Sequence, residues 1–172
     1  MASAHLVRAF TMGWQLTGER AFRDEAIYWA WTGLPFLYLI NPVGFPDPPY
    51  GCVTVYGATG WKAPVWLGRP VQWCGLVYAD ALYRLAPHDP SGPWQQIADG
   101  LTAMGVRYTW PPTDPDRQGL LPDVWELLAQ SRAGPAINPA TVQVNAVRLY
   151  GQPALYDLRA WHLDSQLVTL HV

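Results

Sequence analysis

The sequence predicts a mainly α-helical domain, built of antiparallel helical hairpins with long irregular loops at one end and a short C-terminal β-hairpin. Three observations carry this expectation. Apolar residues recur at helical spacing in five stretches; short turns and long proline-rich segments alternate between those stretches; and residues 153–172 alternate apolar with polar positions. At 172 residues, 50% hydrophobic and 14% charged, the chain is long enough for a domain with a substantial core.

The first helix runs from Ser3 to Leu16, where Leu6, Val7, Phe10, Met12, Trp14 and Leu16 keep mostly to helical spacing and Thr17-Gly18 supplies a stop. The second, Ala21 to Thr32, carries Phe22, Ala26, Ile27, Trp29 and Ala30, and Glu19 stands where a negative charge suits a helix N-terminus. With so short a break the two form a tight hairpin. From Leu34 to Pro70, repeated prolines forbid a long helix, and only Cys52 to Tyr56 has the composition of a strand. A third helix spans Val71 to Ala86 and stops at Pro87. After the turn PHDPSG, a fourth starts with Pro93 at its first position and runs to about Met104.

Gly105 to Asn138 reads as a second irregular segment, most turn-rich in TWPPTDPDRQG, with one or two helical turns at Asp123 to Gln130. Asn138-Pro139 opens a fifth helix, Ala140 to Leu149, which Gly151 and Pro153 end. In the remainder, Leu155, Leu158, Leu163, Leu167, Thr169 and His171 flank a turn at Asp164-Ser165, so a β-hairpin is expected. The chain thus divides into a helical domain, 1–152, and a hairpin, 153–172. The helix ends at Leu16, Leu85 and Leu149, each followed by a brief turn, make a weak repeat of about 65 residues.

Composition narrows the function. Ten Trp and nine Tyr against four Phe favour rings with a polar handle, which suit wet, flat surfaces such as sugar-binding clefts, although the simplest use of any one Trp is to fill the core. Net charge is -2, and the arginines and the single Lys62 form no basic run, which argues against nucleic acid as a partner. No stretch reaches the roughly 18 apolar residues of a membrane span, and MASAHLVRAF lacks the pattern of a signal peptide. Cys52 and Cys74 match no metal or redox spacing and read as free thiols. DPDRQG stops short of a calcium loop, and no zinc cluster, phosphate loop or nucleophile elbow is present, so neither metal nor cofactor is expected.

Antiparallel helices send alternate connections to opposite ends, so the tight turns near Gly18, His88 and Gly151 should share one end. Both long loops should share the other, over the N-termini of helices three and five, whose dipoles favour an anionic group. The centre of this end is Tyr56 to Gly75, where Gly57, Gly60, Gly68, Pro64 and Pro70 permit an irregular yet rigid loop presenting Trp61, Trp66 and Trp73.

Paired helices with an LTGERAF turn, Trp-rich and Pro-rich loops at one end and a C-terminal β segment resemble the (α/α) toroid carbohydrate-active enzymes, namely six-hairpin glycoside hydrolases and alginate-lyase-like or heparinase-like polysaccharide lyases. The resemblance is architectural and brings no catalytic motif with it. It implies a partial toroid, since a complete one takes more helices than are predicted here: either a fragment of a longer chain, with 153–172 as the first strands of a β-sandwich domain, or an unusually reduced member. The implied partner is an oligosaccharide or polysaccharide.

Glycoside hydrolysis needs two carboxyl groups flanking the bond, one kept protonated by an apolar setting. The loops offer Asp47, Asp114, Asp116, Asp123 and Glu126. Asp123 and Glu126 stand out, because a spacing of three on a helical turn puts both on one face beside Leu121 and Trp125; acidic residues opening a short helix are the plainer account. A lyase would need a base, for which Tyr56, Tyr50 and His88 are candidates, and a cation over the uronate, for which Arg69 is placed. The turn of His88 belongs to the opposite end, which disfavours it. Gln72 and Trp73 open helix three and could bond to and stack on a sugar, with Trp61 and Trp66 as walls. The leading expectation is a glycoside hydrolase-like domain; the alternatives are a lyase acting on uronic acid polymers and a non-enzymatic helical-repeat interaction module.

Overall fold

A computed structural model describes residues 2–39, 69–126, 129–137 and 140–150. Five helices and two strands follow in the order α1 (Ala2–Thr17), α2 (Arg20–Gly33), α3 (Gln72–Leu85), α4 (Trp94–Tyr108), β1 (Leu121–Glu126), β2 (Ser131–Ile137) and α5 (Ala140–Tyr150). The domain is mainly helical, with a small antiparallel sheet. The strand expected at Cys52 to Tyr56 and the hairpin expected at 153–172 lie outside the described residues.

The third helix is the hub. Its sequence, QWCGLVYADALYRL, is apolar nearly all round, as a helix surrounded by others must be, and ten of its fourteen residues are buried. It contacts each of the other helices and β1. The main core forms where Val7 of α1, Ala26 and Ala30 of α2, and Ile97, Ala98 and Leu101 of α4 meet Ala79, Leu82 and Leu85 of α3. A smaller cluster of Leu76, Leu121 and Val142 joins α3 to β1 and α5.

Small residues set the helix spacing. Gly105, where a stop was expected, lies inside α4: a Cβ there would come within 2.7 Å of Leu76 Cδ2, so glycine admits a close crossing of α3 and α4, and the helix runs on to Tyr108. Between α1 and α2 the chain turns at Gly18, which takes φ 71 and returns its N–H to the Trp14 carbonyl at 2.8 Å, a left-handed helix cap.

The principal correction concerns residues 121–137. The helical turn expected at Asp123 to Gln130 is an antiparallel hairpin, in which Leu121 pairs with Ile137 and Glu126 with Ser131. An i, i+3 pair of acids is a weak helical signal, and tertiary partners override it: Trp125 N–H donates to the Pro70 carbonyl at 2.9 Å, so β1 is tied on one side to the segment entering α3 and on the other to β2. The register slips between Pro122 and Val124, leaving Gly134 and Pro135 opposite Asp123. Gly134 has φ 79, the backbone state of a glycine bulge.

Of the expected short turns, those near Gly18 and His88 share one end, while the turn at Gly151 and most of the first long loop lie outside the described residues. His88, in the turn between α3 and α4, shares a 3.0 Å hydrogen bond with the Gln15 side chain, and its carbonyl accepts from Arg23 Nε at 2.7 Å, which brings this turn against the α1–α2 connection. Pro70 and β1 meet at the other end.

A candidate site at the N-terminus of the central helix

Residues flanking the start of α3 and residues of β1 form one polar cluster. Arg69, just before the helix, makes a salt bridge from Nη1 to Glu126 Oε1 at 3.0 Å, with the two side chains 40% and 29% exposed. In the first turn, Trp73 donates its indole N–H to Asp123 Oδ1 at 3.2 Å. Trp73 is half-buried and packs against two core clusters, so its face belongs to the protein while its N–H edge meets the carboxylate. The carboxylate of Asp123 thereby lies near a helix N-terminus, where the helix dipole favours negative charge.

Each acid meets a different residue near the start of α3, Asp123 through Trp73 and Glu126 through Arg69. In a regular strand, side chains three positions apart point to opposite faces. The bulge here belongs to β2, where Gly134 and Pro135 together oppose Asp123, and on β1 both Asp123 and Glu126 are half-buried. Gly134 approaches so closely that a Cβ on it would stand 2.7 Å from Asp123 Cβ. Position 134 therefore supports the acid through its backbone.

Beneath Glu126, the strand is anchored by an aromatic stack. Trp125 is 5% exposed and lies parallel to Tyr108, with ring centroids 4.2 Å apart and planes inclined by 3°. Arg132 of β2 lies over the Trp125 ring at 5.4 Å and donates Nε to the carbonyls of Tyr108 and Thr109 at 3.0 and 2.9 Å, capping the C-terminus of α4. The sequence marked Trp125 as an apolar neighbour of the acids, whereas Arg132 escapes notice because an isolated cation carries no periodic signal.

The other expected residues separate. Gln72 is 2% exposed and donates Nε2 to the Leu101 carbonyl at 2.7 Å, so it ties α3 to α4 instead of facing a ligand. Asp114 is held by Arg117 inside a loop closed by the bonds Trp110 N–H to Leu120 O (2.8 Å) and Gly119 N–H to Trp110 O (2.9 Å). A hydrogen bond from Arg117, with its charge, keeps the Asp114 carboxyl below its ordinary value. His88 stands at the opposite end. Tyr56, Tyr50, Asp47, Trp61 and Trp66, and with them the expected walls and base, lie outside the described residues.

Cys74, on the first turn of α3, is a free, buried thiol. Burial, reinforced by the nearby Asp123 charge, pushes its pKa from 9.0 to about 11, so it is a packing residue and a poor nucleophile at neutral pH. Among the described residues no group of three or more His, Cys, Asp or Glu could hold a metal ion, and no helix is long and apolar enough to cross a membrane. Comparison with protein-family models, with curated proteins and with solved structures finds no significant match for this chain.

Proposed function

We propose that this chain is a carbohydrate-active domain, glycoside hydrolase-like, whose site lies over the N-terminus of α3 with Asp123 and Glu126 as its carboxylate pair. The observation that supports this reading is that two partly exposed acids of one strand each meet a residue at the start of the central helix, Glu126 with Arg69 and Asp123 with Trp73. Hydrolysis would use one carboxyl to protonate the leaving oxygen and the other to activate water or attack the anomeric carbon. The Trp73 indole orients Asp123, and Arg69 orients Glu126 while leaving part of its guanidinium exposed for a substrate hydroxyl or carboxylate. A partial (α/α) toroid, completed by further hairpins, is the architecture consistent with this reading.

A second reading rests on the same contacts. Both carboxylates are already engaged by partners within the fold, as structural ties would be, and α2 exposes Tyr28 and Trp31. This favours a helical interaction module that binds without turnover.

The deciding experiment is a titration with neutral and uronic acid oligosaccharides, followed by tryptophan fluorescence and by release of new reducing ends, for the parent, Asp123→Asn and Glu126→Gln. Turnover lost in both variants would support hydrolysis. Cleavage that yields an unsaturated uronate would move the assignment to a lyase. Saturable quenching without turnover would favour the interaction module, and a folded parent that neither binds nor cleaves any of these sugars would overturn the carbohydrate assignment.

A further inference from the structure

A second polar cluster lies lower on α3. The partly exposed line of this helix is Trp73, Val77, Asp80 and Arg84, and at about 1.5 Å per residue Asp80 sits roughly 10 Å from Trp73 along the axis, well away from the site above. Three arginines from three helices converge on Asp80. Arg84, one turn on, places Nε 3.0 Å from Oδ2; Arg148 of α5 places Nη1 2.9 Å from Oδ1 and also donates to the Asp80 carbonyl at 3.2 Å; Arg8 of α1 holds Nη1 3.7 Å from Oδ2.

The charges do not balance. Three guanidinium groups face one carboxylate, leaving a net of two positive charges, and no other acid lies within ion-pair distance of these arginines among the described residues. Asp99 approaches only through Tyr83, whose hydroxyl donates to it at 2.9 Å and whose ring lies 5.5 Å from the Arg148 guanidinium. A single carboxylate would need only one such partner, and the chain as a whole is acidic. Among the described residues most of the donors remain unspent: Arg84 uses Nε, Arg148 uses Nη1, and Arg8 stands beyond hydrogen-bond reach. The arginine side chains are 52%, 37% and 31% exposed for Arg8, Arg84 and Arg148, whereas Asp80 is 15% exposed, so the acid is the floor and the guanidinium forks are the rim.

We propose that Arg8, Arg84 and Arg148 form a binding site for a doubly charged oxyanion, a phosphate group, above the Asp80 carboxylate. Guanidinium forks match the oxygens of a tetrahedral dianion in pairs, and two negative charges cancel the surplus of the cluster. Asp80 holds Arg84 and Arg148 in place before the ligand arrives, which lowers the entropy lost on binding. This site is independent of the carbohydrate assignment.

The test is calorimetric titration of the folded protein with inorganic phosphate and with phenyl phosphate, at constant ionic strength and mildly alkaline pH, where both are dianions. The parent should bind saturably, Arg8→Gln and Arg84→Gln should each weaken binding by about tenfold, as expected for loss of one charge-assisted pair, and Arg20→Gln, on the exposed Arg20–Asp24 pair of α2, should leave it unchanged. Tighter binding of phenyl phosphate would assign the site to a phosphate ester, and tighter binding of inorganic phosphate to the free ion. No saturable binding by the folded parent, or equal weakening in Arg8→Gln and Arg20→Gln, would overturn the proposal.

Discussion

Gly134 and Gly18 form a matched pair that separates backbone strain from steric overlap. Both have left-handed φ, 79 and 71, so either Gly→Ala change should cost about 1–2 kcal/mol from the conformation alone. Their surroundings differ. A Cβ at Gly18 meets nothing within 4 Å, whereas one at Gly134 stands 2.7 Å from Asp123 Cβ. That atom is bonded to the strand backbone and cannot swing aside, so β1 or β2 must shift, and overpacking of this kind costs about 1–3 kcal/mol more. Urea unfolding should therefore show Gly134→Ala destabilised by about 2–5 kcal/mol and Gly18→Ala by about 1–2 kcal/mol. Made in an Asp123→Gly background, Gly134→Ala should cost only its conformational share, because the clashing Cβ is gone. If Gly134→Ala and Gly18→Ala lose equal stability, or Gly134→Ala costs as much in the Asp123→Gly background as in the parent, Gly134 does not seat Asp123.

Other consequences follow from the same contacts. Asp89 accepts from Ser91 Oγ at 2.7 Å and from the fully buried Trp94 indole at 2.8 Å; burial opposes its charge, but these bonds and Arg23 outweigh it and hold its carboxyl below the usual value. Its contribution is therefore full above the unfolded carboxylate pKa and is lost as pH falls through the lowered native value, and Asp89→Ala, which orphans the indole N–H, should lose about 1–3 kcal/mol in urea unfolding near neutral pH but much less in strong acid. Cys74, with its pKa raised, favours the folded state fully below 9.0 and progressively less as pH rises to about 11, so alkylation mapped by mass spectrometry at pH 8 should leave Cys74 unmodified until denaturant is added. Gln72→Leu should alter stability without changing any saccharide titration, since the Gln72 amide bonds to Leu101 inside the core; loss of saccharide binding in a folded Gln72→Leu protein would return this residue to the site.

Much of the scaffold was legible because its signals are local. Helical periodicity with Gly18 and Pro87 as stops marked α1, α2 and α3, and the alternation of short and long connections correctly brought Pro70 and the 121–126 segment to one end and His88 to the other. Arg69, Trp73, Asp123 and Glu126 could be gathered as neighbours from that topology. The conformation linking them could not: two acids three apart fit a helix, while the preference of LPDVWE for a strand comes from its hairpin partner β2 and from the Pro70 carbonyl, which is remote in sequence. Gly105 shows the same limit, being a helix stop by local rule and a close-packing point once Leu76 lies against it.

The sequence by itself determined that helices dominate, roughly where each begins, and which end gathers the loop residues, because turn chemistry and apolar period act over a few residues at a time. Only the tertiary structure decided that Gln72 faces the core, that Asp123 sits opposite the β2 bulge at Gly134, and that Arg8, Arg84 and Arg148 converge on Asp80 from three helices. Those outcomes depend on contacts between residues far apart in the chain, and a long-range contact leaves no period in the segments that make it.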